Sequence, residues 1–146
     1  MNQEFANVSS GKPERGMLWI VGTIWANIII VALIAILPIL FLSSLLEGLI
    51  NPVLVSVLNL LLFWGVAIFA IKLGVKSVLA KSIVKKEKIL EISILTGFIF
   101  FLLSAILLLP SLLNMGLMLY LLIASALISA IIYAGITYFW CKRLVK

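Results

Sequence analysis

The chain has 146 residues, 65% of them hydrophobic and only 11% charged, with a net charge of +6. Soluble domains are about half apolar and about a quarter charged, and a fold this small leaves much of its surface exposed, so a water-soluble class is excluded. Histidine and aspartate are absent, and Cys141 is the single cysteine, which rules out an internal disulfide.

Residues 1–16 are polar and contain the breaker-rich stretch SSGKPERG, which reads as a mobile tail. From Met17 to Leu46 no charge occurs. The apolar core of a signal peptide is only about 7–15 residues, so this run is expected to remain as a membrane span, over about 17–41. A helix over the whole run would measure about 45 Å, against a hydrocarbon core of about 30 Å. Pro38 is expected to kink or end it near its far end. EGLINP, Glu47 to Pro52, reads as a turn: Gly48 suits the left-handed close of a helix, and Asn51-Pro52 starts the next.

A second span follows over about 53–72, then a basic loop over 72–88 and a third span over about 89–110. Pro110 opens the turn PSLLNMG, and the fourth span covers about 117–141. The short connectors at 47–52 and 110–116 make two antiparallel hairpins. The expected fold is therefore an all-α membrane bundle of four helices. SSLLEGL at 43–49 and PSLLNMGL at 110–117 echo each other weakly, a pattern compatible with duplicated halves.

The basic residues set the expected orientation. Lys12 and Arg15 precede the first span. Lys72, Lys76, Lys81, Lys85, Lys86 and Lys88 lie between the second and third, and Lys142, Arg143 and Lys146 follow the fourth. Four spans put all of them on one side, which the positive-inside rule makes cytoplasmic, in the cell (inner) membrane. The lysines of 72–88 are expected at the membrane surface, facing an anionic inner leaflet. On a helical wheel Leu73, Leu79, Ile83 and Leu90 share an arc opposite Lys81, Lys85 and Lys88. The second helix then continues as an interfacial segment; the alternative is a solvated loop.

Inside the bundle, counting from the expected cytoplasmic ends puts Asn27, Asn59, Ser104 and Ser129 about 15–20 Å deep, one on each helix. An asparagine facing lipid leaves its amide unpaired, so Asn27 and Asn59 are expected to turn inward and bond to each other, to Ser104 or Ser129, or to Trp64. Small residues form stripes suited to close helix packing: Gly22 and Ala26 in the first span, Gly97 in the third, and Ala126, Ala130 and Ala134 in the fourth. Trp19, Tyr138 and Trp140 are expected at the inner boundary, and Trp25, Trp64 and Tyr133 deeper, as core rings. Glu87 and Glu91 suit the start of the third helix.

No charge sits at depth, as a proton-coupled carrier needs. The serines lie deep and the lysines at the periphery, so no nucleophile meets a base. No cofactor motif and no nucleic-acid motif appears. The leading expectation is a non-catalytic membrane protein acting through helix contacts, with another membrane protein or with itself, as an accessory, assembly or immunity-like subunit. The alternative is a small oligomeric transporter or channel for a small molecule or lipid-linked substrate.

Overall fold

The computed structural model describes residues 12–46, 49–108 and 118–145. It contains four long helices: α1 (Met17–Leu46), α2 (Pro52–Lys81), α3 (Ile89–Leu108) and α4 (Met118–Leu144). Each is long and apolar enough to cross a membrane. α1 packs on α2 and α3 on α4 as two antiparallel hairpins, and the hairpins meet through α2 with α4 and α1 with α3. The fold is thus the all-α four-helix bundle that the run lengths imply. The Pro110 turn, Glu47, Gly48 and residues 1–11 lie outside the described residues.

Small residues set the closest approaches. A Cβ at Gly97 would lie 2.6 Å from the Ala130 carbonyl oxygen and 2.9 Å from the Ala134 Cβ. One at Gly74 would lie 2.9 Å from the Ile24 Cα. Glycine is required at both because the facing backbone occupies the space a side chain would need. Ala126 and Ala130 are buried and Ala134 is half-buried. Gly22 and Ala26 depart from the expectation: both are exposed, and nothing lies within 4 Å of a Cβ built on Gly22. The face of α1 that packs instead carries Ile20, Val21, Ile24, Trp25 and Ile28. Larger side chains fill the gap there, because Gly74 on α2 supplies the close approach.

Two helices run past the expected span ends. α1 continues unbroken through Pro38 to Leu46, so Pro38 does not end it. The cost of proline there is local, one missing N–H and a ring crowding the Ile34 carbonyl one turn back, and the helix absorbs it. α2 passes Lys72, where the second span is expected to end, and continues as helix to Lys81, about 14 Å further. Gly74, Val75 and Val78 are buried on this extension and carry it along the bundle. The Lys72 ammonium lies 4.8 Å from the centre of the Trp140 ring, so its charge is accommodated beside the helix. Of the apolar arc expected for this segment, Ile83 and Leu90 are exposed and Leu73 and Leu79 half-buried, while Val75, Val78, Val84 and Ile89 are buried. Ser82 ends α2 in extended backbone and breaks the single wheel on which that arc was drawn.

The core is unevenly distributed. Among the described residues α1 buries nothing beyond Ile28, and α2 buries only Val55 before Ala67. The α1–α2 hairpin is therefore sealed at its basic end and open toward the other. Ser93, Thr96 and Thr137 are buried, and each hydroxyl donates to a carbonyl one turn back on its own helix, at 2.7–2.8 Å.

Candidate functional site

The opening between α1 and α2 forms a cleft of about 370 Å3. Its walls include Ile28, Ala35 and Ile39 of α1 and Phe63 and Ala67 of α2, with Tyr133 of α4 reaching in. Its polar pair is Ser43 and Asn59. The Ser43 hydroxyl lies 2.8 Å from the Ile39 carbonyl and 2.7 Å from Asn59 Oδ1. That hydroxyl has one proton to give. If Ile39 receives it, the Asn59 amide must turn its NH2 toward Ser43; otherwise the NH2 is the free end. In either arrangement the contact uses only half of the Asn59 amide.

This pairing dissolves the expected polar layer. Asn27 Nδ2 donates to the Thr23 carbonyl at 2.8 Å, within its own helix. Asn59 pairs with Ser43, which lies about 24 Å further along α1 than Asn27. The levels differ because Gly74 packs on Ile24, which sets Lys72 near Asn27 rather than beside Met17, so Asn59 falls toward the far end. Ser104 and Ser129 are half-buried.

Aromatic rings, not amides, join the four helices. Tyr133 of α4 is the hub. Its ring centre lies 4.1 Å from Phe100 of α3, 5.7 Å from Trp64 of α2 and 6.3 Å from Trp25 of α1. Trp25 also stacks near Phe100, at 6.4 Å. The Trp25 indole Nε1 is buried with no hydrogen-bond partner. Trp25, Trp64 and Tyr133 were legible as deep rings; Phe100 carries no sequence signal that separates it from its apolar neighbours.

At the basic end, Lys76, Lys81, Lys85 and Lys86 are exposed and Lys72 and Lys88 half-buried. The residues just before α1, expected within the mobile tail, are held against this end. The Lys12 ammonium donates to the Leu79 carbonyl at 3.0 Å, and the Ile83 N–H to the Pro13 carbonyl at 3.4 Å. Glu14 meets Lys85 at 3.2 Å and Lys88 at 3.4 Å. Hydrogen bonding from Lys85, then from Lys88, holds the Glu14 carboxyl below the usual carboxylate range. Sequence reasoning missed Glu14. The available signal was that it precedes α1 on the same side as the lysine cluster.

Among the described residues no three metal-ligating side chains group together. Cys141 is buried. Comparison of the chain with protein-family models, with curated proteins and with solved structures gives no match.

Proposed function

We propose that this is a non-catalytic membrane protein that acts through helix contacts within the bilayer, as an accessory, assembly or protective subunit. The supporting observation is a second, shallower groove on the α1–α2 hairpin, formed without Tyr133. It has a volume of about 610 Å3 and is lined wholly by apolar residues, among them Val31, Ile34, Ala35, Leu61, Gly65 and Phe69. Nothing lies within 4 Å of a Cβ built on Gly65, so backbone is accessible there to a neighbouring helix. Gly65→Leu tests the reading. The added side chain enters the groove and leaves the core untouched. The variant should keep its melting temperature and lose whatever larger membrane protein co-purifies with the wild type in mild detergent. A wild type that purifies alone, or a variant that keeps its partner, defeats the proposal.

The cleft favours a second reading, a site for a small molecule or lipid-linked substrate beside Asn59. Asn59→Leu separates the two. Helix glue at this position is worth about 0.6 kcal/mol and seldom above 2, so function survives its loss. A binding site predicts lost function in a well-folded variant.

The proposed orientation has the basic end in the cytoplasm of a cell with an inner membrane. In a background lacking Cys141, a cysteine at Asn51 should react with an impermeant reagent added outside, and one at Lys81 should not. Both residues are exposed, unlike Ser82. The reverse labelling would invert the topology.

A further inference from the structure

We propose that a recess at the basic end, between the start of α3 and the end of α4, binds the phosphate group of an anionic membrane lipid. The recess has a volume of about 310 Å3 and is lined by Lys86, Ile89, Tyr138, Lys142 and Val145. The cations around it are sorted by their partners. Of the three lysines on the approach to α3, Lys85 and Lys88 are paired with Glu14. Lys86 takes part in neither pair and lines the recess. On α4 both cations lie over aromatic rings, and they differ in which one lines the recess. Arg143 lies over the Phe139 and Trp140 rings, 5.9 Å from each centre, whereas Lys142 lies 5.7 Å from the Tyr138 ring and lines the recess. Two lysines therefore line one recess with no carboxylate among its lining residues.

Phosphate suits this donor set. It presents several strong acceptor oxygens, and two ammonium groups with a phenol hydroxyl supply donors around them. The walls distinguish a lipid from a free ion. Ile89 is buried and Val145 half-buried; apolar walls contribute nothing to a hydrated anion but do contact a glycerol backbone and the first methylenes of a chain. Leu90, Ile94 and Phe98 follow Lys86 along α3 at intervals of four, and all are exposed. These residues lie outside the recess, on the same helix, and give acyl chains an apolar surface. Tyr138 occupies the kind of boundary position that phenol rings prefer, and basic pockets between spans suit anionic headgroups. The inference does not depend on the partner reading above.

The test uses the full chain in mixed micelles containing phosphatidylglycerol or phosphatidylcholine, with retained lipid read by native mass spectrometry. One phosphatidylglycerol should be held in preference to phosphatidylcholine. Lys86→Gln with Lys142→Gln should weaken its retention about 25-fold, and each single variant about five-fold, from the usual contribution of a lysine near an anionic surface. Lys76→Gln with Lys81→Gln removes the same charge from other exposed lysines and should change retention by less than about two-fold. Equal losses in the two pairs would assign the effect to the general field of the basic end and overturn the site. So would unchanged retention in the first pair, or equal retention of both lipids. Displacement of the lipid by millimolar inorganic phosphate would make the recess a free-anion site and overturn the lipid assignment. All four lysines are exposed, so the variants should melt as the wild type does.

Discussion

Replacing Gly97 by alanine adds one methyl group where α3 and α4 are closest. The new carbon would stand 2.6 Å from the Ala130 carbonyl oxygen and 2.9 Å from the Ala134 Cβ. Comfortable carbon contacts lie near 3.5–4.0 Å, so the helices must part or shift by close to an ångström. Ala130 contributes backbone at this contact, and a backbone atom cannot rotate away as the end of a side chain can. Overpacking of this kind costs about 1–3 kcal/mol. Alanine returns up to about 1 kcal/mol through its better helix propensity. With the full return the expected net loss is about 0–2 kcal/mol. Gly74→Ala, which meets the Ile24 Cα at 2.9 Å, should behave alike. Gly22→Ala and Gly135→Ala have nothing within 4 Å and should be neutral or stabilising by up to about 1 kcal/mol. Unfolding in mixed micelles, followed by circular dichroism, measures all four. If Gly97→Ala proves as stable as Gly135→Ala, the helices do not approach as described. If Gly22→Ala is the most damaging, the packed face of α1 has been misassigned.

Trp25→Phe should change stability by less than about 1 kcal/mol in the same assay. The smaller ring leaves a cavity, but it removes a buried N–H with no partner, whose burial costs about 1–3 kcal/mol. A loss above about 2 kcal/mol would mean that the indole N–H is paired in the membrane. Glu14 should tether the segment before α1 only while ionised. Its carboxyl is held below the usual range, so its contribution is full above that range and disappears as pH falls through the lowered value. Glu14→Gln at neutral pH should reproduce the acid state. In both, exchange at the Ile83 amide, which donates to the Pro13 carbonyl, should accelerate once corrected for intrinsic rate. An amide equally protected in the variant and the wild type would show that Glu14 does not hold the segment.

Much of the architecture is legible in the chain because the bilayer simplifies the physics. Backbone groups in hydrocarbon must pair internally, so an apolar run of about twenty residues has few alternatives to a helix. Charge-free runs, short connectors and the grouping of lysines were enough for four helices in two hairpins. The Asn51-Pro52 start of α2 was also local: the Asn51 side chain accepts from the Val53 N–H at 2.9 Å. Gly97 with Ala130 and Ala134 could be read from spacing because small residues at helical intervals leave room for backbone.

The faces and levels of the helices were not local properties. In lipid the outside of a helix is as apolar as its inside, so no hydrophobic periodicity distinguishes the packed stripe of α1 from the stripe bearing Gly22 and Ala26. Only contact with Gly74 chose between them. The end of α2 was equally hidden. Lys72 marks a membrane exit by charge alone, yet Trp140 on another helix receives that charge and buried Val75 and Val78 carry the helix on to Lys81. The packing of Gly74 on Ile24 sets the register between the hairpin arms, which pairs Asn59 with Ser43 instead of placing it level with Asn27 and leaves the cleft between α1 and α2. Charge count and run length are sums along the chain and so belong to the sequence; register and facing depend on which side chains of different helices fill the same space, and the tertiary structure alone decides that.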